Sequence, residues 1–166
     1  MSPKRRDPGP ARRRPDPTRP AMPLVLHFNR LGDWPGLEER EPILRRAALA
    51  ALESRGDRDG EVSYTFLSAE EIRDLNRDYL QRDRSTDVIA FDIGEGRSLL
   101  GDVYISPKVA AANAAEHGEI EQHEILRLVV HGSLHVAGLD HPEGPERETA
   151  PMFALQEELL RSIVDE

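Results

Sequence analysis

From Leu24 onward, apolar positions recur along the chain with two alternating periods, one of two residues and one of three to four. LVLHFNR after Pro23 is β-rich and ends at the Gly32/Pro35 turn region, predicting a first strand. PILRRAALAALESRG places Ile43, Leu44, Ala47, Ala48, Ala51 and Leu52 at helical spacing, with Gly56 as the stop. EVSYTFL sets Val62, Tyr64 and Phe66 against polar neighbours as a second strand. It runs into Ser68-Ala-Glu-Glu71, a capping-box pattern that opens the helix EEIRDLNRDYL. DVIAFDI and LLGDVYI, separated by GEGRS, read as a hairpin or adjacent strands. Ser106-Pro107 starts a helix through KVAAANAAEHG, with Ser as cap and Pro at the first helical position. An apolar-rich helix follows over Ile120 to Val136, and Met152, Phe153, Leu155, Leu159, Leu160 and Ile163 form the stripe of a terminal helix.

The order β-α-β-α-β-β-α-α-α predicts an α+β (mixed α/β) fold, a small mixed sheet of about four strands covered by about five helices. At 166 residues the chain suits one domain. That domain is assigned to residues 23–166. Residues 1–22 are set apart as a disordered basic tail, because the first twenty hold six prolines and seven basic residues with no large apolar residue beyond Met1. The tail lacks the apolar stretch of a signal peptide, and no run approaches the roughly 20 apolar residues of a membrane span, so a soluble protein without membrane contact is expected.

Separating the tail changes the charge picture. It carries seven of the 22 basic and two of the 31 acidic residues, so the remainder holds 15 against 29, a balance of about −14. Such a surface disfavours broad adhesion to nucleic acid, which depends on Lys and Arg displacing counterions. The absence of cysteine removes disulfides, thiolate metal sites and thiol nucleophiles together, and fits a reducing cytoplasm. Any metal must be held by nitrogen and oxygen.

The chemistry concentrates in His131-Gly-Ser-Leu-His135-Val-Ala-Gly138-Leu-Asp-His141. Residues four apart share a helix face, so His131 and His135 can aim at one point, while Gly138 lets the backbone leave the helix and return His141 as a third ligand. Three protein ligands with an open fourth position is the usual arrangement of catalytic zinc, and one Zn2+ per chain is expected on His131, His135 and His141. The bland alternative is chance clustering, with two histidines capping a helix end. Asp140 is a candidate to accept the free N–H of His141 or orient metal-bound water, or else a turn residue before Pro142. Glu124, seven residues before His131, reads as a candidate base or ligand-orienting carboxylate, or as a surface glutamate. His123 reads as a solvated helix residue, and nothing surrounds His27 or His117 to argue from.

The spacing H-x-x-x-H-x-x-G-x-x-H is shared with metzincin proteases, which carry their glutamate base directly after the first histidine. That position is Gly132 here, which weakens a peptidase reading. HGSLHVAGLDH resembles instead the signature of the YbeY family, bacterial zinc-dependent endoribonucleases of ribosomal RNA maturation. Further blocks resemble it in the same order: Leu75-Asn76, Thr86-Asp87-Val88-Ile89-Ala90-Phe91, Leu100-Gly101-Asp102-Val103-Tyr104-Ile105-Ser106, and Met152-Phe153 with Gln156. The resemblance spans roughly residues 24 to 164. It implies a zincin-like histidine helix and a cytoplasmic, single-strand-specific endoribonuclease acting in 16S rRNA 3′ end maturation and ribosome quality control. Ribosomal RNA and the ribosome or its proteins are the implied partners. Metal-bound water or the RNA 2′-hydroxyl would attack a phosphodiester. Many members carry an arginine after the tyrosine of the block Asn76-Arg77-Asp78-Tyr79-Leu80; here that position is Leu80, and Arg82 or Arg84, with Arg77 behind them, are the candidates to supply the cation. Two alternatives stay open: a non-catalytic zinc-stabilised ribosome-assembly factor, suited to the acidic surface, and a metal-dependent hydrolase of another substrate.

Overall fold

A computed structural model describes residues 24–56, 59–80, 86–93, 98–141, 146 and 149–165. Among them, four strands and five helices follow in the predicted order: β1 (Leu24–Asn29), α1 (Glu41–Ser54), β2 (Gly60–Phe66), α2 (Ala69–Leu80), β3 (Val88–Asp92), β4 (Leu99–Ile105), α3 (Pro107–Glu116), α4 (Glu121–Val136) and α5 (Pro151–Val164). Two short 3-10 turns lie between β1 and α1. The sheet runs β1-β2-β4-β3, with β1, β2 and β4 parallel and β3 antiparallel to β4. The α+β expectation of a four-stranded mixed sheet under five helices therefore holds, and DVIAFDI and LLGDVYI are a true antiparallel pair.

The local signals act as their chemistry requires. Glu71 N–H donates to Ser68 Oγ and Ser68 N–H to Glu71 Oε1, both at 3.1 Å, closing the capping box. Ser106 Oγ accepts the Val109 N–H as the cap of α3, with Pro107 behind it. On α1 the buried residues are Leu44, Ala47, Ala48, Ala51 and Leu52, one stripe of the helix.

The pleat of β2 and β4 sends Val62, Tyr64, Phe66, Leu99, Val103 and Ile105 into the main core, where α1, α4 and α5 cover them. The opposite face carries a smaller cluster around Ile72 of α2, with Leu67 and Ile89. Helix α4 lies deepest, burying residues all round its circumference, from Ile125 through Val130 to Val136. It approaches β4 closely enough that glycine is needed on both sides of the contact. A Cβ on Gly132 of α4 would lie 2.5 Å from Val103 Cγ1 of β4, and one on Gly101 of β4 would collide with Val136 of α4. Tyr64 of β2, fully buried and stacked on Phe28 with ring centroids 4.9 Å apart, ties the helix from a second strand. Its hydroxyl donates to Ser133 Oγ at 2.5 Å, which donates to the Val129 carbonyl at 2.7 Å. Burial pushes the Tyr64 phenol well above its usual range, so it stays a donor. No helix among the described residues is long and apolar enough to cross a membrane.

Two predictions follow from this packing. Gly132→Ala should lower stability by about 1–3 kcal/mol, since the β-branched Val103 has little room to yield. Val103→Ala in the same chain should recover part of the loss, and a thermal melt in which Gly132→Ala matches the parent would refute the contact. The second concerns acid. The Arg30 guanidinium, and behind it the Ser68 N–H, hold the Glu71 carboxyl down at about 2 against an ordinary 4.5. A depressed carboxyl stabilises the fold fully above its unfolded value and loses that contribution as pH falls from about 4.5 towards 2. Glu71→Gln should therefore lower the urea midpoint at neutral pH and flatten its fall over that window; an unchanged acid limb would count against it.

Candidate metal centre

His131 and His135 lie one turn apart on α4, and the end of that helix supplies the third imidazole. Gly138 takes φ 97°, a left-handed conformation that glycine adopts without strain. The Leu139 N–H then donates to the Leu134 carbonyl and the Gly138 N–H to the His135 carbonyl, each at 3.0 Å, forming a Schellman ending. The chain reverses, and Asp140 Oδ1 accepts the His141 backbone N–H at 2.8 Å. His141 is thereby brought back over the helix it has just left.

The three Nε2 atoms form a nearly equilateral triangle: 3.0 Å from His131 to His135, 3.2 Å from His135 to His141 and 3.3 Å from His141 to His131. Tetrahedral zinc at about 2.0–2.1 Å from each nitrogen would need separations of about 3.3–3.4 Å. The protonation pattern points the same way. His131 Nδ1 lies 2.6 Å from Gln156 Oε1, and His135 Nδ1 lies 3.0 Å from the Leu139 carbonyl. Both partners only accept, so both Nδ1 atoms carry the hydrogen and both Nε2 atoms present lone pairs to each other. Lone pairs 3.0 Å apart repel unless a cation lies between them. Among the described residues, these histidines are the group of three that can share an ion, with His131 buried and the other two half-buried. The donor set is nitrogen only, as suits zinc, and a shallow depression beside it is lined by His131, His141, Met152, Phe153 and Gln156.

The remaining candidates fall in different places. Asp140 is exposed, and its Oδ1 accepts the backbone N–H that holds the His141 turn. Glu124 faces Arg127 Nη1 at 2.5 Å; burial raises its carboxyl while Arg127 draws it back. His123 is half-buried on the first turn of α4. His27 pairs with Glu61 across β1 and β2, and His117 Nδ1 sits 2.8 Å from the Asn113 carbonyl at the end of α3. Arg77 is ion-paired with Asp74 and Asp78, and Leu80 is the last residue of α2. Arg82 and Arg84 lie outside the described residues, as does the basic tail. Sequence spacing gave no role to Gln156, whose side chain reaches His131 from 25 residues away; its only advance signal was its place in a family block.

A four-stranded mixed sheet carrying a helix with two histidines, and a turn returning a third, defines a compact three-histidine site that could hold a metal ion. Comparison with known proteins names the family. The family model described as "Endoribonuclease YbeY" matches residues 38–164, and the chain belongs to that family. Relatives named endoribonuclease YbeY include one from Bacteroides thetaiotaomicron, 40% identical over 114 residues, which span 69% of this chain and 82% of the relative. Another, from Listeria welshimeri, is 35% identical over 153 residues, 82% of this chain and 91% of the relative. A Thermotoga maritima protein solved in solution superposes with a TM-score of 0.61 at 26% identity, covering 85% of this chain and 90% of that one.

Proposed function

We propose that the protein is a zinc-dependent, single-strand-specific endoribonuclease working in the cytoplasm on 16S rRNA 3′ end maturation and ribosome quality control. The observation that carries the metal is the triangle of three Nε2 atoms, two of them fixed with their lone pairs inward. Membership of the endoribonuclease YbeY family supports RNA as the substrate. When bound, a divalent ion supplies positive charge for the scissile phosphate and enough acidity to generate a nucleophile near neutral pH, from water or from the RNA 2′-hydroxyl.

The chain's own part is chiefly positional. His131 and His135 are fixed as neutral Nε2 donors by Gln156 and the Leu139 carbonyl. Asp140 holds the turn that presents His141. Arg82 or Arg84 supplies cationic charge for the phosphate, in place of the arginine that many relatives carry where this chain has Leu80. Residues 23–166 form the catalytic domain and residues 1–22 a basic appendage that gives an otherwise acidic protein some attraction for RNA and the ribosome. A metzincin-type peptidase carries its carboxylate base directly after the first histidine. Gly132 faces Val103 there, leaving no space for one.

Replacing His131 and His135 with alanine should abolish zinc binding, cleavage of single-stranded RNA and rRNA end maturation together. Activity that survives complete loss of metal would overturn the proposal, and binding of RNA without turnover in a metal-matched assay would identify an assembly factor instead. Deleting residues 1–20 should weaken association with RNA or ribosomes and flatten its salt dependence, because fewer counterions are released. Equal affinity and an equal salt slope would remove the tail from the function.

A further inference from the structure

Behind His131 lies a chain of polar contacts that ends in a partly buried ion cluster. His131 Nδ1 donates to Gln156 Oε1 at 2.6 Å, and Gln156 Nε2 donates to Glu157 Oε1 at 3.2 Å. Arg127, one turn before His131 on the same helix, grips Glu157 with two nitrogens: Nε to Oε1 at 2.8 Å and Nη2 to Oε2 at 3.3 Å. Its remaining nitrogen, Nη1, meets Glu124 at 2.5 Å and also Glu119. The Gln156 side chain is buried, as is His131.

A glutamine amide has nearly the same shape either way round, so its orientation is decided by its partners. A flipped amide would point its NH2 at His131 Nδ1. That nitrogen would have to become the acceptor, the hydrogen would move to Nε2, and the ligand lone pair would be lost. Glu157 forbids this, because an ionised carboxylate only accepts and therefore draws the Gln156 NH2 towards itself. Arg127 holds Glu157 in place through two nitrogens. We propose that Glu157, held by Arg127, is a positioning residue that sets the ligand tautomer of His131 through the Gln156 amide. The inference rests on the metal-centre reading above and extends it to residues that touch neither metal nor substrate.

The test uses Glu157→Leu and a swapped pair, Gln156→Glu with Glu157→Gln. The swap keeps the total charge and gives His131 a partner that only accepts whichever way it turns, while the amide at 157 keeps one oxygen for Arg127 in place of two. Zinc affinity is measured by competition with a chromophoric chelator. The His131 tautomer is read from imidazole nitrogen resonances of the metal-free protein at about pH 8, above the ordinary imidazole range. Glu157→Leu should weaken zinc binding by roughly tenfold or more, the range for loss of an outer partner of a ligand, and populate the Nε2–H tautomer. The swapped pair should retain the parental Nδ1–H tautomer. Where leucine at 157 strands Arg127 and the chain fails to fold, Arg127→Met with Glu157→Leu removes both charges and carries the same expectation. Parental zinc affinity with an undisturbed Nδ1–H tautomer in the leucine variant would overturn the relay while leaving the metal centre intact. A parent chain that binds no zinc would overturn the centre and the relay together.

Discussion

The close approach of α4 to β4 is the constraint on which the rest of the site depends. Two helices or a helix and a sheet ordinarily keep their backbones apart by the thickness of their side chains. Here Gly132 admits Val103 and Gly101 admits Val136, so each backbone receives a valine from the other. The arrangement fixes α4 both along its axis and in rotation, because two valine contacts one turn apart allow a single register. Tyr64 adds a third tie through Ser133. Rotation matters most for function. His131 and Gly132 are neighbours, so a helix seated with Gly132 against the sheet must present His131 on another side, towards α5 and Gln156. The hydrophobic core thus sets the direction of the first metal ligand.

That rigidity answers an electrostatic cost. Three imidazole nitrogens at 3.0–3.3 Å from one another, two of them with lone pairs facing inward, form an unfavourable cluster unless a cation occupies it. The cost is borne by interactions outside it: the Schellman turn, the Asp140 contact with the His141 backbone, and the packing of α4 on β4. A site preorganised in this way loses little further freedom when it is filled.

Much of this was legible in the sequence, and the boundary between what was and was not follows sequence separation. The capping box at Ser68–Glu71, the Ser106-Pro107 start, the stripe of α1 and the reversal at Gly138 are each encoded within a few residues, and each formed as read. Convergence of the histidines could be inferred because all three sit within eleven residues. Gln156, Glu157 and Arg127 are different. Their roles depend on how α5 crosses α4, a tertiary relation between side chains 25 to 30 residues apart for which no local pattern exists. Glu124 shows the converse: its spacing from His131 left it either a base or ligand-orienting carboxylate or a surface glutamate, and its carboxylate meets Arg127, only three residues away.

Gly132 shows most plainly why a ligand spacing does not determine a reaction. In the sequence it registers as an absence, a missing glutamate where a peptidase needs its base. In the structure the position is occupied by packing, because its Cβ direction points at Val103 and into the core. A glutamate there would not be a base waiting at an otherwise similar site; it would be a carboxylate forced against a valine, with no partner and no water, and would break the contact that orients His131. Two proteins can therefore share the three histidines and the glycine between them while differing in what their folds allow beside the metal. Beside His131 and His141 this fold places a shallow depression walled by Met152 and Phe153, whereas the metzincin pattern places a carboxylate on the helix itself.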